Sequence, residues 1–357
     1  MTMRIYTPGR DDSVILDLRA RVWGADHPHT SPAFYKWLFQ DTPSGPGTGV
    51  LDEKDGAALG FAGMTNRLAR MGDQDVKIAH GLDFMVDPGL GGMLSGRVGV
   101  RVLNRHAKLA DEISADVNLN YPNDNSLRML TSSRVSYDHI FSPDLFVCPL
   151  GAPRVRDRGA LAALGIKLAG VAGGSYAALR GLGAGRGISV SRIETFDDRF
   201  DDHWERLCAD GKLRFNRDRA TLDWRYSAHP IYSYTKLIAT RGEELLGYVI
   251  LSKRDFAGLD ALLVCDLGVA GNDARVAAAL LAEAKQEAKA QKTRLLVSQA
   301  IDPSALSPLL RSAGFLKVPP RFNPKCFRMI AMAHTTPGQS AMTASHWAFG
   351  WGDMDVV

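Results

Sequence analysis

A glycine-rich stretch in the first half of the chain has the composition of a phosphate-binding loop. The run VDPGLGGMLSGRVGV, residues 86–100, contains Gly91, Gly92, Ser95, Gly96 and Arg97. Glycines let a ligand approach backbone N–H groups closely, and the start of a helix carries a partial positive charge that favours anions. A tight turn between a strand and a helix would look the same in sequence, so the motif by itself is weak.

The elements around this loop must place it at the end of a strand. AHGLDFMVDP, residues 79–88, predicts a strand, and the residues after the loop predict a helix. Further on, ISADVNLNYP predicts a strand, NDNSLRMLTSS a short helix capped by Asn123 or Asp124, and DLFVCPL a strand. In a regular strand His80 and Asp83 would point to opposite faces. This order of predicted strands and helices indicates a mixed α/β fold.

The sequence contains an internal repeat of domain size. FYKWLFQDTP and TLDWRYSAHP share the pattern Trp, any residue, aromatic, three residues, Pro, and Trp37 and Trp224 lie 187 residues apart. The segments Leu59–Phe61 and Leu246–Tyr248 have the same separation. We take the large tryptophans as core residues. The repeat predicts a domain at residues 1–150, a Gly/Ala-rich linker at 151–190, a second domain at 191–333 and a tail at 334–357.

The second half repeats the architecture but not the glycines. EELLGYVILSKR and ALLVCDLGV predict strands, and NDARVAAALLAEAKQEAKAQ predicts a helix that Asn272 or Asp273 caps. The loop before this helix contains Gly271 and no second glycine. We therefore expect that this copy does not bind a phosphate-bearing coenzyme and instead completes a substrate or acceptor surface.

Composition limits the class of protein. The chain has 357 residues with a net charge of +4, a balance that suits an anionic ligand or a membrane surface but not DNA. Its four cysteines are scattered and form no metal motif or disulfide framework. Residues 159–179 are rich in Gly, Ala and Leu, but glycines and Lys167 interrupt them. These residues predict a packed linker and no transmembrane span. A peripheral membrane contact is the alternative to the packed linker.

The order of elements and the motifs together resemble the GCN5-related N-acetyltransferase (GNAT) superfamily, in its bacterial form with two tandem domains. The resemblance is carried by Leu-Gly-aromatic on one strand, VDP before the glycine loop, the Trp-aromatic-Pro signature, YPNDNS and the tail HWAFGWGDMDVV. It implies two GNAT-like domains, each with a mixed, mainly antiparallel central sheet flanked by helices.

The resemblance also implies a coenzyme site. Members of that superfamily carry an Arg/Gln-x-x-Gly-x-Gly/Ala loop that wraps the pyrophosphate of acetyl-CoA; here Gly91, Leu94 and Gly96 overlay it, so the match is degraded. It implies Asp83 as the catalytic base. The residues that it implies for coenzyme binding are Val86, Gly91, Gly92, Ser95, Gly96, Arg97 and Asn125, and no metal is implied. Where a tyrosine acid is usual the chain has Met129 and Leu130.

The resemblance implies an acyltransferase that uses acetyl-CoA as cosubstrate. It would move an acetyl or other acyl group to an amine acceptor, such as a small molecule, a sugar or a polysaccharide precursor. Two alternatives remain open, namely a non-catalytic tandem module that binds a ligand or protein and a peptidyl transferase that uses aminoacyl-tRNA. The N-terminus lacks the apolar core of a signal peptide, so the expected location is the cytoplasm.

Overall fold

The computed structural model describes residues 1–151, 187–324 and 326–354, which fall into two compact units. The first unit comprises Met1–Phe141, Ala228–Ile231 and Phe327–Ala344. The second unit comprises Ser142–Ser227, Tyr232–Cys326 and Ser345–Val357. The segment at residues 159–179, including its possible membrane contact, lies outside the described residues.

The first half of the chain forms strands and helices in a mixed order. They are β1 (Thr2–Tyr6), α1 (Asp12–Trp23), α2 (Pro32–Phe39), β2 (Thr48–Lys54), β3 (Ala57–Met71), β4 (Gln74–Val86), α3 (Gly92–Glu112), β5 (Val117–Asn120), α4 (Asp124–Leu130), β6 (Asp138–Phe141) and β7 (Asp144–Pro149). The strand, loop and helix around residue 90 are therefore as the sequence predicts, and the Asn123 side chain caps α4 by accepting from Ser126 N at 2.9 Å.

The second half follows the same plan. Its elements are β8 (Ser189–Ile193), α5 (Arg199–Cys208), β9 (Leu213–Phe215), α6 (Arg219–Leu222), β10 (Thr235–Arg241), β11 (Glu244–Phe256), β12 (Leu259–Val269), α7 (Ala274–Ala290), β13 (Leu295–Ala300), α8 (Leu306–Ser312), β14 (Leu316–Lys317), β15 (Met329–Ala333) and α9 (Thr336–Gln339). The apolar face of α7, with Val276, Leu280 and Leu281, packs into the core of the second unit.

Each unit is built on one mainly antiparallel sheet. In the first unit the strand order is β1-β2-β3-β4-β5-β15-β6, and in the second it is β14-β7-β13-β12-β11-β10-β8. The exceptions to antiparallel pairing are β4 with β5 and β12 with β13, which run parallel. The mixed α/β class and the two similar units predicted from the sequence are confirmed.

Two strands lie in the sheet of the unit that is formed mainly by the other half of the chain. β15 comes late in the sequence but lies between β5 and β6 of the first unit, whereas β7 comes from the first half but lies between β14 and β13 of the second. The last strand of each half therefore does not join the sheet formed by the rest of that half. Residue pattern predicts that a segment is a strand but not which edge it joins, because the joining bonds are made by backbone atoms common to all residues. The domain ranges 1–150 and 191–333, which come from the sequence repeat, stay a prediction.

The repeated Leu-Gly-aromatic motif has a packing explanation. A Cβ atom on Gly60 of β3 would lie 2.6 Å from Val98 Cγ1 of α3. A Cβ atom on Gly247 of β11 would lie 2.7 Å from Gly268 O and 3.1 Å from Val276 Cγ1 of α7. In both units the glycine therefore lets a helix pack directly on the sheet, α3 in the first unit and α7 in the second.

This close approach predicts that alanine is too large at either glycine. We expect Gly60→Ala and Gly247→Ala each to lower the free energy of unfolding by about 1–3 kcal/mol, the usual cost of overpacking. Urea-induced unfolding measures the effect. Gly96→Ala is the control, because nothing lies within 4 Å of a Cβ there and helix propensity alone would favour alanine by roughly 0.5–1 kcal/mol. Unchanged stability in both strand variants would contradict this explanation.

Candidate functional site

The first unit has an opening where two parallel strands part. β4 pairs with β5 from Ile78 to Gly81, and β5 ends at Asn120, the partner of Gly81. From Leu82 to Val86, β4 keeps β3 as a partner on one side, and among the described residues no strand pairs with its other side. Backbone N–H and C=O groups along this edge are therefore available to an extended, amide-bearing ligand.

Polar side chains collect where the strands part. The Asn120 side chain lies against Gly81, where a Cβ would be 2.1 Å from its Oδ1, and its Nδ2 donates to Asn118 Oδ1 at 3.3 Å. His80 is buried, and its ring packs edge-on against Tyr121 with centroids 5.3 Å apart. Burial raises the pKa of Tyr137, against the influence of the two asparagines. This group of polar residues lies beside the open edge of β4.

The loop after β4 leads to an open helix end. Asp87 O accepts from Leu90 N at 3.1 Å, which makes a turn, and Gly91 is the N-terminal cap of α3 without a side chain to cover it. The first turn of α3 has no acidic residue, and a Cβ on Gly91, Gly92 or Gly96 would meet nothing within 4 Å. Packing within the protein therefore does not explain these glycines, and they leave space over unsatisfied N–H groups, as an anion site requires.

The equivalent helix of the second unit is closed to an anion. The Asp273 side chain caps α7 by accepting from Arg275 N at 2.8 Å, and it forms an ion pair with that arginine. Arg275 lowers the pKa of Asp273, so the cap is a carboxylate at neutral pH. A fixed negative charge at this end repels a phosphate group. This cap supports the prediction that the second copy does not bind a coenzyme.

The other loop residues have distinct surroundings. Ser95 N donates to Gly91 O at 3.3 Å, and Val86 ends β4 and packs against the core of the first unit. Arg97 is exposed on α3. Asn125 is exposed in the first turn of α4. Their roles as coenzyme ligands stay a prediction.

Asp83 lies on a bulge of β4 and has a buried ionic partner. The register pairs Phe61 with Met85 and Gly63 with Leu82, so β4 has one extra residue here, and Asp83 adopts a φ of 53°. Its side chain is 7% exposed and pairs at 3.0 Å with Nη2 of Arg19 on α1, a side chain that is 1% exposed. The bulge re-aims the carboxylate out of the regular alternation of the strand.

The bulge also corrects the sequence-based orientation of His80. Asp83 points toward α1, and His80 shares the face of Leu82, which is the face that packs against α2 through the ring of Phe39 at Gly63. The two side chains therefore do not point to opposite faces as they would in a regular strand, because the bulge interrupts the alternation at Asp83.

The surroundings of this ion pair are aromatic. The Arg19 guanidinium lies 4.9 Å from the ring centroids of Trp23 and Tyr35 and 5.6 Å from that of Phe34. Burial raises the pKa of the Asp83 carboxyl, and the positive charge of Arg19 opposes that rise. The pair therefore depends on both partners, since either charge alone would be costly at this depth.

Arg19 is a site residue that the sequence does not reveal. It lies in the helical segment DSVILDLRARVW, where an arginine usually faces solvent, and 64 residues separate it from Asp83. No local pattern identifies such a partner. The same applies to Arg21, which pairs with Asp87 in the turn before α3.

The second unit carries a different arrangement at the matching bulge. Asp266 forms an ion pair with Arg217, which also pairs with Asp353 of the C-terminal tail, and Tyr226 Oη donates to Asp266 at 3.0 Å. Arg225 donates to Met354 O. The tail therefore lies against Asp266, and the small cavity that remains beside it, about 60 Å³, is lined partly by the tail.

Two features that the sequence excluded can be checked only for the described residues. In that part of the chain no helix is long and apolar enough to span a membrane. Among the same described residues there is no group of three or more His, Cys, Asp or Glu side chains that could hold a metal ion.

The fold has clear counterparts among solved structures. No family profile and no curated protein matches the chain. A GCN5-related N-acetyltransferase from Anabaena variabilis ATCC 29413 is 10% identical, with a TM-score of 0.61 over 93% of this chain and 73% of that one. One from Kribbella flavida is 16% identical, with a TM-score of 0.60 over 96% and 74%. A probable N-acyltransferase from Enterococcus faecalis V583 is 12% identical, with a TM-score of 0.58 over 93% and 72%. The chain therefore has the GCN5-related N-acetyltransferase fold that the sequence predicts.

The buried ion pair predicts a specific pH dependence of stability. In Arg19→Met the Asp83 carboxylate loses its counter-charge, so we expect a loss of about 3–5 kcal/mol at neutral pH. Because the pKa of Asp83 would then be raised further, the folded state would bind a proton more tightly than the unfolded state, and stability would fall as pH rises through the folded-state pKa. Urea unfolding between pH 5 and 8 measures this. Adding Asp83→Asn should remove the slope, and a slope that persists would disprove its assignment to Asp83.

The position of the tail predicts a steric test in the second unit. A Cβ on Gly352 would lie 2.2 Å from Tyr226 Oη and 2.9 Å from Cys265 O, whereas one on Gly350 would meet only Leu306 at 3.5 Å. We expect Gly352→Ala to release the tail and speed its cleavage by protease about tenfold or more, since a release that costs 1.4 kcal/mol less is tenfold more frequent. Gly350→Ala should leave cleavage unchanged. Equal protection of both variants would show that the tail is not held at this point.

Proposed function

We propose that the protein is an N-acyltransferase that moves an acetyl or other acyl group from acyl-CoA to an amine. The observation that carries the proposal is the open N-terminus of α3 directly after the open edge of β4. The N-terminus of α3 offers unsatisfied N–H groups to a pyrophosphate, and the edge of β4 offers hydrogen bonds to the amides of a pantetheine arm. The fold, which matches known N-acetyltransferases, supports the same reaction class.

The donor would bind with its charged end at the glycine loop. Gly91, Gly92 and Gly96 leave room for phosphate oxygens, Ser95 can donate a hydrogen bond, and Arg97 supplies a positive charge one turn further along α3. The pantetheine arm would then run along β4 from Val86 toward Leu82. Its thioester would reach the polar residues where β4 and β5 part.

The reaction exchanges a carbon–sulfur bond for a carbon–nitrogen bond. The acceptor amine attacks the thioester carbonyl carbon, the C–N bond forms, the C–S bond breaks, and the proton that the amine loses ends on the departing thiolate. In this proposal Asp83 acts as the base that carries this proton, through an intervening water because its side chain is buried. Arg19 is the positioning residue that keeps the carboxylate ionised.

The acceptor would approach from the side of α1. Trp23, at the end of α1, is 37% exposed, and its ring lies against the Arg19 guanidinium that pairs with Asp83. An exposed indole against the arginine that pairs with the base favours an acceptor with a flat, partly apolar face, as a sugar ring has. We therefore keep an amine-bearing small molecule or saccharide as the acceptor class, and the cytoplasm as the location.

Coenzyme binding tests the proposal directly. We expect acetyl-CoA to bind the wild type with micromolar affinity in calorimetry, and Gly92→Glu/Gly96→Glu to weaken binding at least 100-fold, because two carboxylates would occupy the phosphate site. Ala274→Glu/Ala278→Glu, at the first and fifth residues of α7, is the matched control and should bind normally.

Two results would reject this function. Folded wild-type protein that does not bind acetyl-CoA would favour the non-catalytic module or the aminoacyl-tRNA-dependent peptidyl transferase. Binding with equal affinity in both double variants would move the coenzyme away from α3. If binding is confirmed, Asp83→Asn should lower kcat about 10²–10⁴-fold with little change in KM in a screen of amine acceptors.

A further inference from the structure

The exposed side of α3 carries a row of positive charge of which the proposed coenzyme site uses only Arg97. A shallow groove of about 760 Å³ covers this side of the helix. Five basic residues line it, namely Arg97, Arg101, Arg105, Lys108 and Arg134. We call this surface the basic face of α3. Met93 lies at its start, 74% exposed, and Met3 and Met129 lie along its sides.

Most of this charge is not balanced within the unit. Arg101 pairs with buried Asp52, and Arg105 pairs with Glu112 at 2.8 Å. Among the described residues no ion pair neutralises Arg97, Lys108 or Arg134. Because these three groups project into an open groove, they present a positive field to an approaching partner.

Helix stability does not explain the arrangement. Acidic residues near the N-terminus and basic residues near the C-terminus stabilise a helix, but α3 has no acidic residue in its first turn and no basic residue in its last. Its acidic residues, Asp111 and Glu112, are at the C-terminal end, where they are unfavourable. The equivalent helix α7 exposes Glu283 and Gln286 together with Lys289, a mixed surface. The single sign of charge is therefore particular to the helix with the open loop.

The length of the basic face points to something larger than a coenzyme. Arg97 and Lys108 are 11 residues apart, which is about 16 Å along a helix. A pyrophosphate held at Gly91 and Gly92 would engage Arg97 but not the far end of the row. A partner helix of about three turns with acidic side chains would cover the whole row, and its apolar side chains would contact the methionines.

We propose that the basic face of α3 docks the acidic helix of an acyl carrier protein, which delivers the acyl thioester to the β4 edge on its own phosphopantetheine arm. This inference rests on the proposed function and replaces the free coenzyme with a protein-bound thioester as the preferred donor. The chemistry is unchanged, since the amine takes the acyl carbon and the proton ends on the thiolate of the carrier's arm. A carrier has no adenosine and one phosphate in place of a pyrophosphate, which suits a loop where Leu94 stands in the middle-glycine position.

Binding of carrier and coenzyme can be compared in one set of titrations. The probes are an acidic bacterial acyl carrier protein loaded with acetyl-phosphopantetheine, the same carrier without its arm, and acetyl-CoA. The test variant is Lys108→Glu/Arg134→Glu, which leaves Arg97 at the glycine loop unchanged. The matched control, with the same change in net charge on exposed residues of the second unit, is Arg241→Glu/Lys289→Glu.

We expect the loaded carrier to bind the wild type and the control in the micromolar range, to weaken with added salt, and to bind the test variant at least 30-fold more weakly. The carrier without its arm should bind more weakly than the loaded one but with the same dependence on the basic face. Acetyl-CoA binding should change less than about fivefold in the test variant, because Arg97, the basic residue near the loop, is retained.

Other outcomes separate this inference from the proposed function. If acetyl-CoA binds but the carrier does not, or the carrier binds all three proteins equally, the inference fails and the acyltransferase proposal stands. If neither donor binds folded protein, both fail. If the test variant instead loses binding to tRNA or to phosphatidylglycerol vesicles while the carrier binds none of the proteins, the basic face serves a nucleic acid or a membrane, and the inference is wrong.

Discussion

The parting of β4 from β5 after Gly81 is the constraint on which the first unit depends. Two parallel strands that stayed paired to their ends would satisfy the backbone groups of their facing sides with each other and leave no open edge between them for a ligand. Here β5 stops at Asn120, while β4 continues through a bulge to Val86 and passes into the turn before α3. The open strand edge, the polar residues beside it and the open helix end therefore lie next to one another along one strand.

The two units show how one scaffold can hold different sites. Both place a helix on the sheet through a glycine of the Leu-Gly-aromatic motif, and both interrupt the strand before that helix with a bulge. In the first unit the helix begins with glycines and no carboxylate, and Asp83 pairs with one arginine. In the second the helix begins with Asp273, and Asp266 belongs to a network that holds the C-terminal tail. The two units therefore share the packing of a helix on the sheet and differ in the charged residues at the helix start and at the bulge.

Burial determines what the acidic residues at the bulges can do. Removing a carboxylate from water raises its pKa, and a nearby guanidinium opposes the rise by favouring the ionised form. At Asp83 these two effects act through a single ion pair, and at Asp266 through a network with two carboxylates around Arg217. Burial and Asp353 raise the pKa of Asp266 and Tyr226 lowers it, so the direction of the pKa shift is the same at both bulges. The proposed chemistry is assigned to the first unit because the open strand edge and the open helix end lie there.

The sequence by itself determined the local structure. Apolar runs indicated the strands, and Asn123 or Asp124 and Asn272 or Asp273 indicated the helix starts, because these signals act between near neighbours along the chain. The repeat of Leu59–Phe61 at Leu246–Tyr248 indicated two similar units. Only the tertiary structure decided that β7 and β15 join the sheets they do, that Arg19 pairs with Asp83, and that a bulge turns Asp83 toward α1. These features depend on contacts between residues far apart in sequence, made by backbone edges and side chains whose partners no local pattern records.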